Sequence, residues 1–140
     1  LESYRDYTLV SLHVRRTDYL HYAHIHAKCD LLYYTEAMNQ FDKSKVCFVV
    51  TTDDLTWCKE NIKADNIIFS SDGYDLDLCI QSRCDHHIIA NSTYSWWAAW
   101  LGQNPGKKVI APKNWFTPEF AITSPDYDIV PDSYIKITNL

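Results

Sequence analysis

Short apolar runs alternate along the chain with segments in which apolar residues recur at helical spacing. The apolar runs are bounded by polar residues and are typical of buried strands; they cover residues 8–14, 46–51, 66–69, 87–90 and 108–111. The helical patterns between them cover residues 30–41, 55–62, 75–84 and 95–101. Strands and helices are therefore expected to follow one another in turn.

This alternation predicts an α/β fold with a doubly wound, mostly parallel, Rossmann-like sheet. Few residues in the predicted strands are charged, which is expected when helices cover both faces of a sheet. A chain of 140 residues that is 46% hydrophobic can bury a core, so we predict one domain over residues 1–140. In such folds ligands bind beyond the carboxyl ends of the strands, near a change in strand order. The chemically distinctive motifs of this chain all lie at such strand ends.

Charge and cysteine content narrow the range of partners. The formal net charge is -5 and the chain has no run of Lys or Arg, which argues against nucleic acid. None of the five cysteines belongs to a CxxC motif, so we expect reduced thiols. No segment is long and apolar enough to span a bilayer and no signal-like sequence opens the chain, so we expect a soluble chain. Because the chain lacks an initiating Met and enters its first strand almost at once, we interpret it as the carboxyl-terminal part of a longer protein.

The first candidate site follows the first strand, in the segment His13-Val14-Arg15-Arg16-Thr17-Asp18. Neighbouring side chains of an extended chain point to opposite faces, so only one of the two arginines can face a ligand. We assign Arg15 to an anionic ligand, with His13 on the same side. Arg16 is expected to be held inside by Asp18, two residues on, and both are then structural support. The alternative is a pair of surface arginines on an edge strand.

The second candidate site lies where the fourth strand passes into the fourth helix, over residues 88–97. The first turn of a helix presents free N–H groups and a partial positive charge, which favour a phosphate. Ser92, Thr93 and Ser95 can add hydroxyl donors. Only three glycines occur and no GxGxxG or GxxxxGK[ST] motif is present, so side chains and a helix terminus would have to hold the phosphates of a nucleotide. The alternative is that these hydroxyls simply cap the helix.

A carboxylate, Asp77, lies in the first turn of the third predicted helix. It can accept the two parallel hydrogen bonds that guanine N1–H and N2–H2 donate, whereas adenine offers no such pair. The alternative is a favourable interaction with the helix dipole alone. The spacing along this helix predicts a buried face that consists of Leu76, Cys79, Ile80 and Arg83.

Acidic and histidine-rich motifs resemble metal sites, but we predict no metal. The DxD motif at 75–77 begins a helix, whereas a metal-binding DxD ordinarily ends a strand. Asp54 is placed to cap the next helix, so we assign Asp53 and Asp54 to structural support. His21, His24 and His26 lack an arranged thiolate or acidic partner and are interpreted as a polar loop over the cleft.

Two further segments are predicted to belong to the core. The aromatic segment 95–101, SWWAAWL, should pack on a sheet, so we expect most of its indole surface to be buried. His86 and His87 begin a strand, and one of them should be a core histidine whose hydrogen bonds are satisfied.

Four segments resemble glycosyltransferase family 11, the galactoside α-1,2-fucosyltransferases, in their bacterial-type form. They occur in the family's order and span nearly the whole chain, from Thr8 to about Ile137: HVRRTDY at 13–19, TDDLTWCKEN at 52–61, IIANSTYSWWAAWL at 88–101 and IAPKNWF at 110–116. The HxRRxD element is shared with core and protein O-fucosyltransferases. The SWWAAWL and APKNWF elements narrow the resemblance to family 11.

The resemblance implies the nucleotide-sugar-binding half of a GT-B glycosyltransferase, without the acceptor-side domain that ordinarily precedes it. It implies inverting transfer of L-fucose from GDP-β-L-fucose to the 2-hydroxyl of a terminal galactose, without a metal or another cofactor. By position, His13 and Asp77 should contact guanine, and Arg15 should contact the β-phosphate as the catalytic residue. Ser92 and Thr93 should contact the diphosphate.

Two alternative functions remain open at this point. One is a core or protein O-fucosyltransferase-like GDP-fucose enzyme, and the other is a non-catalytic GDP-binding fragment. The expected partners are GDP-fucose and a galactose-terminated glycan, with no nucleic acid and with peripheral membrane contact through the missing half. We expect a cytoplasmic location, peripheral to a membrane, with the Golgi lumen as the alternative.

Overall fold

The structure is a computed structural model that describes residues 4–125 and 128–139. Within these residues the chain forms a six-stranded parallel sheet flanked by helices. The strands are β1 (Thr8–Val14), β2 (Val46–Thr52), β3 (Ile67–Ser70), β4 (His86–Ile88), β5 (Val109–Pro112) and β6 (Ile135–Ile137). The helices are α1 (Thr17–His21), α2 (Leu31–Met38), α3 (Leu55–Asn61), α4 (Tyr74–Ser82), α5 (Thr93–Leu101) and α6 (Pro118–Ala121).

The strand order is β3-β2-β1-β4-β5-β6. The chain builds outward from β1 to β3 and then crosses back to place β4 on the other side of β1. This is the arrangement of a doubly wound, Rossmann-like sheet, so the predicted α/β fold class is confirmed. The direction of building changes between β1 and β4, and in such sheets the ligand crevice lies near this point, at the carboxyl ends of the strands.

The predicted strands and helices all occur, with ends shifted by at most three residues. The sequence patterns missed β6, α1 and α6. Each of these has at most five residues, and α1 and α6 contain no buried residue. Because no apolar periodicity marks such short elements, pattern alone does not detect them.

The core surrounds the central strands β1 and β2. Every residue of β2 is buried, as are the last five residues of β1. Two buried tyrosines of α2 close the core: the Tyr33 hydroxyl donates to the Ile89 carbonyl at 2.6 Å, and the Tyr34 hydroxyl donates to the His13 carbonyl at 3.2 Å. Burial raises the pKa of both tyrosines well above the ordinary value, so both keep the proton that they donate. These bonds fix the backbone beside the crevice.

Helix α5 packs on the sheet chiefly through small residues, and two of its three tryptophans are exposed. Its buried residues are Ser95, Ala98 and Ala99. Trp97 and Trp100 are 53% and 55% exposed, so the prediction that most of the indole surface is core is wrong. A helix turns one stripe toward the sheet. Here small side chains occupy that stripe. The half-buried Trp96 packs beside it and donates its indole N–H to the Ile129 carbonyl at 2.9 Å, whereas Trp97 and Trp100 lie on the outer face.

A fully buried histidine, His87, lies in β4 as predicted, but only one of its ring nitrogens is satisfied. Its Nδ1 lies 2.9 Å from the Ser11 hydroxyl. Its Nε2 has no hydrogen-bond partner among the described residues. Burial lowers the pKa of His87 to about 4, and the positive charge of Lys107 acts in the same direction, so the ring is neutral at pH 7. Gly102 approaches this ring so closely that a Cβ atom there would lie 2.6 Å from Nε2.

Replacing Gly102 by alanine is expected to destabilise the fold by about 1 to 3 kcal/mol, because the new methyl group would overlap the His87 ring. Urea unfolding measures this change. Gly106→Ala is the matched control, since the atom nearest to a Cβ there is Asn104 Oδ1 at 4.0 Å. That control should stay within about 0.5 kcal/mol of the unchanged chain. Equal unfolding free energies for the two variants would contradict the close approach of Gly102 to His87.

Two compositional expectations concern the whole chain. All five cysteines lie within the described residues and are unpaired, and only Cys79 is exposed. The expectation of free thiols is therefore confirmed. Across residues 4–125 and 128–139, no helix combines the length and the apolar character that crossing a bilayer requires.

Candidate active site

A cleft of about 330 Å³ opens at the carboxyl ends of β1, β2 and β3, beside the change in strand order. This volume lies within the range of small-molecule sites. The lining side chains that matter most for ligand chemistry are His13, Arg15, Asp53, Tyr74, Asp77 and Tyr94. Three residues predicted from the sequence to bind a ligand, His13, Arg15 and Asp77, therefore meet in one cleft.

Arg15 lies just beyond β1, where two carboxylates hold its guanidinium. One terminal nitrogen lies 2.5 Å from an Asp18 oxygen, and Nε lies 3.5 Å from an Asp53 oxygen. The guanidinium also lies 5.8 Å from the centroid of the Tyr19 ring. The Arg15 side chain is 21% exposed and lines the cleft. Arg15 is thus oriented by its neighbours and is still accessible to an anion.

The predicted pairing of Arg16 with Asp18 is wrong. Nε of Arg16 lies 3.3 Å from an Asp54 oxygen, and its guanidinium lies 4.0 Å from the centroid of a Trp57 ring. Asp18 pairs instead with Arg15. The alternation of an extended chain does not apply here, because β1 ends before the two arginines and α1 begins directly after them. The chain turns from β1 into α1 at the two arginines, and this turn brings Asp18, in the first turn of α1, to Arg15.

Asp53 joins the end of β2 to the start of α1. It accepts hydrogen bonds from the N–H groups of Arg16 at 2.9 Å and Thr17 at 3.2 Å, and from the Thr17 hydroxyl at 2.6 Å. Burial by itself would raise the pKa of Asp53, but these hydrogen bonds and the charge of Arg15 hold it below its ordinary value. The side chain of Asp54 caps α3, as its position predicts. Asp53 therefore lines the cleft and fixes the turn after β1, whereas Asp54 fixes the start of α3.

Three polar side chains form a row across β1, β2 and β3 at the cleft. In the register of the parallel strands, His13 pairs with Thr51 and Thr51 pairs with Ser70, so the three side chains point to the same face. We call these three residues the polar row. All three are more than nine-tenths buried, and His13 and Thr51 line the cleft. The Ser70 hydroxyl donates to Oδ1 of Asp77 at 2.7 Å, which connects the row to α4.

Two buried polar atoms of this row have no hydrogen-bond partner among the described residues: Nδ1 of His13 and the hydroxyl of Thr51. Buried polar groups are nearly always hydrogen-bonded, so such atoms at a cleft indicate a place for a ligand or for water. Burial lowers the pKa of His13 to about 4; the charge of Asp53 acts in the opposite direction, and that of Arg15 lowers it further. The ring is neutral at pH 7, with one donor and one acceptor nitrogen. A neutral imidazole suits an uncharged nucleobase better than a phosphate.

Asp77 lies on the inner side of α4, where it is 7% exposed and lines the cleft. Asp77 and Gln81 are the buried residues of this helix, so the predicted apolar face is wrong. Of the four residues predicted to form that face, Leu76, Cys79 and Arg83 are exposed and Ile80 is half-buried. The helix turns its polar stripe inward because that stripe meets the polar row, where Asp77 accepts a hydrogen bond from Ser70.

In the described part of the chain, α5 reaches the cleft wall through Tyr94, and Ser92 and Thr93 are not among the lining residues. Ser92 occupies the N-cap position of α5 and is buried, but its hydroxyl makes no capping hydrogen bond. Thr93 is exposed. The Ser95 hydroxyl lies 3.2 Å from the Ala90 nitrogen and braces this turn. The assignment of Ser92 and Thr93 to a diphosphate stays a prediction.

Tyr94 and Thr51 line the cleft although the sequence analysis assigns neither of them to a ligand: Tyr94 lies within the second candidate site, and Thr51 directly precedes the segment at 52–61. The Tyr94 ring centroid lies 5.3 Å from that of His13, and its hydroxyl donates to the Tyr74 carbonyl. Tyr94 thereby connects the beginnings of α5 and α4. A usable signal existed, because the ends of neighbouring parallel strands and the first turns of the following helices converge in such sheets. Applying it requires the strand order and register, which the sequence does not state.

The three histidines predicted to form a polar loop do not line this cleft. His26 stacks on Tyr19, with ring centroids 4.1 Å apart and planes 3° apart, and it lines a second pocket of about 40 Å³ that Arg15 also borders. His21 and His24 are exposed. Within residues 4–125 and 128–139, no three His, Cys, Asp or Glu side chains are grouped so that they could hold a metal ion. The absence of a metal requirement stays a prediction.

Comparison with known proteins tests the resemblance to glycosyltransferase family 11. The model of Glycosyl transferase family 11 matches residues 2–138. The chain is 34% identical to an alpha-1,2-colitosyltransferase of Escherichia coli, over 91% of this chain and 47% of that protein. It is 36% identical to the O-antigen biosynthesis glycosyltransferase WbnK of Escherichia coli, over 76% and 38% of the two chains. It is 37% identical to galactoside alpha-(1,2)-fucosyltransferase 1 of Bos taurus, over 69% and 30%.

The match to the family extends over nearly the whole chain, whereas the chain spans less than half the length of these curated relatives. No solved structure is significantly similar to it. The matched residues include all of the cleft and all four motifs that carry the resemblance. The chain belongs to glycosyl transferase family 11.

Proposed function

We propose that the chain binds GDP-β-L-fucose in the cleft and that residues 1–140 form the donor-binding domain of a GT-B glycosyltransferase. The observation that carries this proposal is the convergence of Arg15, His13 and Asp77 on one cleft beside the change in strand order. A guanidinium is a bidentate ligand for phosphate oxygens. A neutral imidazole and a carboxylate supply the donor and acceptor groups that a guanine edge requires.

The proposed reaction is the inverting transfer of L-fucose to the 2-hydroxyl of a terminal galactose on a glycan. The acceptor oxygen forms a bond to C1 of fucose, the bond from C1 to the β-phosphate oxygen breaks, and the electron pair of that bond stays on GDP. The proton of the acceptor hydroxyl passes to a base or to water. Arg15 stabilises the negative charge that grows on the β-phosphate. One charge-assisted hydrogen bond of this kind contributes about 1.5 to 3 kcal/mol.

In this scheme Arg15 supplies the positive charge at the diphosphate, so no metal or other cofactor is required. The linkage is proposed because the Bos taurus relative is named for α-(1,2) transfer to galactosides. A second candidate is transfer of colitose, because the Escherichia coli relative that aligns with 91% of the chain is named for that sugar. Measuring the release of each sugar from its nucleotide donor, with the same protein, decides between the two.

Isothermal calorimetry with GDP, UDP and ADP tests the donor class directly. We expect GDP to bind most tightly, because Asp77 can accept two hydrogen bonds from guanine and none of that pair from adenine. Adding a chelator should leave the GDP affinity unchanged. Preference for UDP or ADP, or loss of GDP binding in the chelator, would contradict the proposal.

Two further assays separate the alternative functions. Lactose and a glycopeptide offered side by side distinguish galactoside transfer from core or protein O-fucosylation. Release of fucose from GDP-fucose above a control without protein distinguishes an enzyme from a silent GDP-binding module. We expect transfer to lactose and measurable release of fucose.

A further inference from the structure

We propose that the Thr51 hydroxyl is a further binding group of this cleft and that it donates to O6 of guanine, so that Thr51 contributes to the choice of base. This inference rests on the proposed binding of GDP. It adds a hydroxyl from the end of β2 to the residues of β1 and α4 that the family motifs place at the base.

The first observation is that the Thr51 hydroxyl is buried at the cleft and that none of the residues that the structure describes uses it. Thr51 is 1% exposed and lines the cleft, and its Oγ1 has no hydrogen-bond partner among the described residues. The next residue behaves differently. Thr52 also lines the cleft, but its Oγ1 accepts a hydrogen bond from the Asp54 N–H at 2.9 Å at the start of α3. The two adjacent threonines therefore differ in whether the fold uses the hydroxyl.

The second observation is the position of Thr51 within the polar row. Its strand lies between that of His13 and that of Ser70, and Ser70 contacts Asp77. Neighbouring strands are about 4.8 Å apart, so Thr51 lies between a group at His13 and a group at Asp77. The hydroxyl is thus placed to meet the middle of a flat ligand that reaches both ends.

The edge of guanine carries its polar groups in a matching order. N7 and O6 are acceptors, and N1–H and N2–H2 beyond them are donors. With Asp77 at N1–H and N2–H2 and His13 at the other end, the atom that faces Thr51 is O6. A threonine hydroxyl can donate to such an oxygen. Adenine has an amino group at this position in place of the oxygen.

Among the described residues the Thr51 hydroxyl finds no hydrogen bond in exchange for those that burial takes from it, and this lowers the stability of the free protein. Replacing Thr51 by valine, which has nearly the same shape, should therefore raise the urea midpoint of unfolding. The same change should weaken GDP binding by about 5- to 20-fold, because O6 would lose its donor. A hydroxyl that binds the ligand but makes no hydrogen bond to the protein should give these two opposite effects when it is removed: higher stability and weaker binding.

The test compares the unchanged chain with Thr51→Val and Thr52→Val, using GDP and inorganic pyrophosphate as calorimetric ligands and urea to measure stability. Thr51→Val should weaken GDP binding, leave pyrophosphate binding unchanged and raise the urea midpoint. Thr52→Val should lower the urea midpoint, because it removes the hydroxyl that the Asp54 N–H uses.

Three results would overturn the assignment of Thr51: unchanged GDP affinity in Thr51→Val, an equal loss of affinity for pyrophosphate, or a lower urea midpoint in that variant. The proposed function fails by a different result, which is that the unchanged chain itself does not prefer GDP. Binding of GDP to the unchanged chain that is insensitive to Thr51→Val would refute only the role of Thr51.

Discussion

Replacing Arg15 by lysine is expected to slow the release of fucose from GDP-fucose by about 10- to 100-fold. The Arg15 guanidinium is held in position by Asp53 at Nε and by Asp18 at a terminal nitrogen. Its planar fork can meet two phosphate oxygens at once. A lysine ammonium carries the same charge on one nitrogen, so it cannot keep both carboxylate contacts and a bidentate phosphate contact. The variant would keep the positive charge but lose the planar arrangement of N–H donors.

Two comparisons separate this effect from a general loss of structure. The Arg15→Lys variant should bind GDP about tenfold more weakly and guanosine equally well, since guanosine lacks the phosphates that we propose Arg15 contacts. Arg16→Lys is the matched control, because that arginine packs on Trp57 and pairs with Asp54. It should lower the unfolding free energy and leave the GDP affinity within about threefold. Near-normal release of fucose by Arg15→Lys would refute the catalytic assignment.

Replacing Asp77 by asparagine is expected to weaken GDP binding by about 100-fold, because two charge-assisted hydrogen bonds from guanine would lose their acceptor. Asp77 accepts from the Ser70 hydroxyl at 2.7 Å, and a carboxylate can accept about four hydrogen bonds. It can therefore keep this contact and still receive N1–H and N2–H2. An amide has one acceptor atom and one donor group, and the donor would oppose a donor of the base.

Inosine diphosphate lacks the N2 amino group and isolates this interaction. The unchanged chain should prefer GDP to inosine diphosphate by about tenfold, and Asp77→Asn should abolish the preference. Asp75→Asn is the matched control, since Asp75 is an exposed acid in the first turn of the same helix. If both variants weaken GDP binding equally, the interaction of an acid with the helix dipole is enough to explain the effect of Asp77. The proposed contact between Asp77 and guanine is then refuted.

Arg15 and Asp77, the two residues whose replacement should have the largest effects, can be predicted from the sequence alone. Arg15 lies directly after the first apolar run, and Asp77 lies in the first turn of the helix that follows the third run; parallel sheets bind ligands where strands end and the next helices begin. The alternation along β1 predicts that His13 faces the same side as the ligand, and His13 does line the cleft because β1 is a regular strand as far as Val14. The same reasoning fails for Arg16 and Asp18, since the backbone beyond Val14 is no longer a strand.

The buried face of helix α4 could not be predicted from the spacing of its apolar residues. Its apolar residues recur at helical spacing, yet the residues that it buries are Asp77 and Gln81. Periodicity shows that a helix has two faces, but which face turns inward depends on what it meets. In this case it meets Ser70 and the polar row, which are contributed by strands that lie elsewhere in the sequence.

The order of apolar and polar residues was enough to predict the alternating elements and the doubly wound class, because both depend on local periodicity. It also predicted the edge of the sheet at which His13, Arg15 and Asp77 meet, because parallel sheets follow a general rule on where ligands bind. Only the packing of the elements against one another determined four other features. These are the partner of each arginine, the orientation of α4, the exposure of Trp97 and Trp100, and the lack of a partner for the Thr51 hydroxyl among the described residues. These features depend on strand register and on distances between residues remote in the chain, which no local pattern encodes.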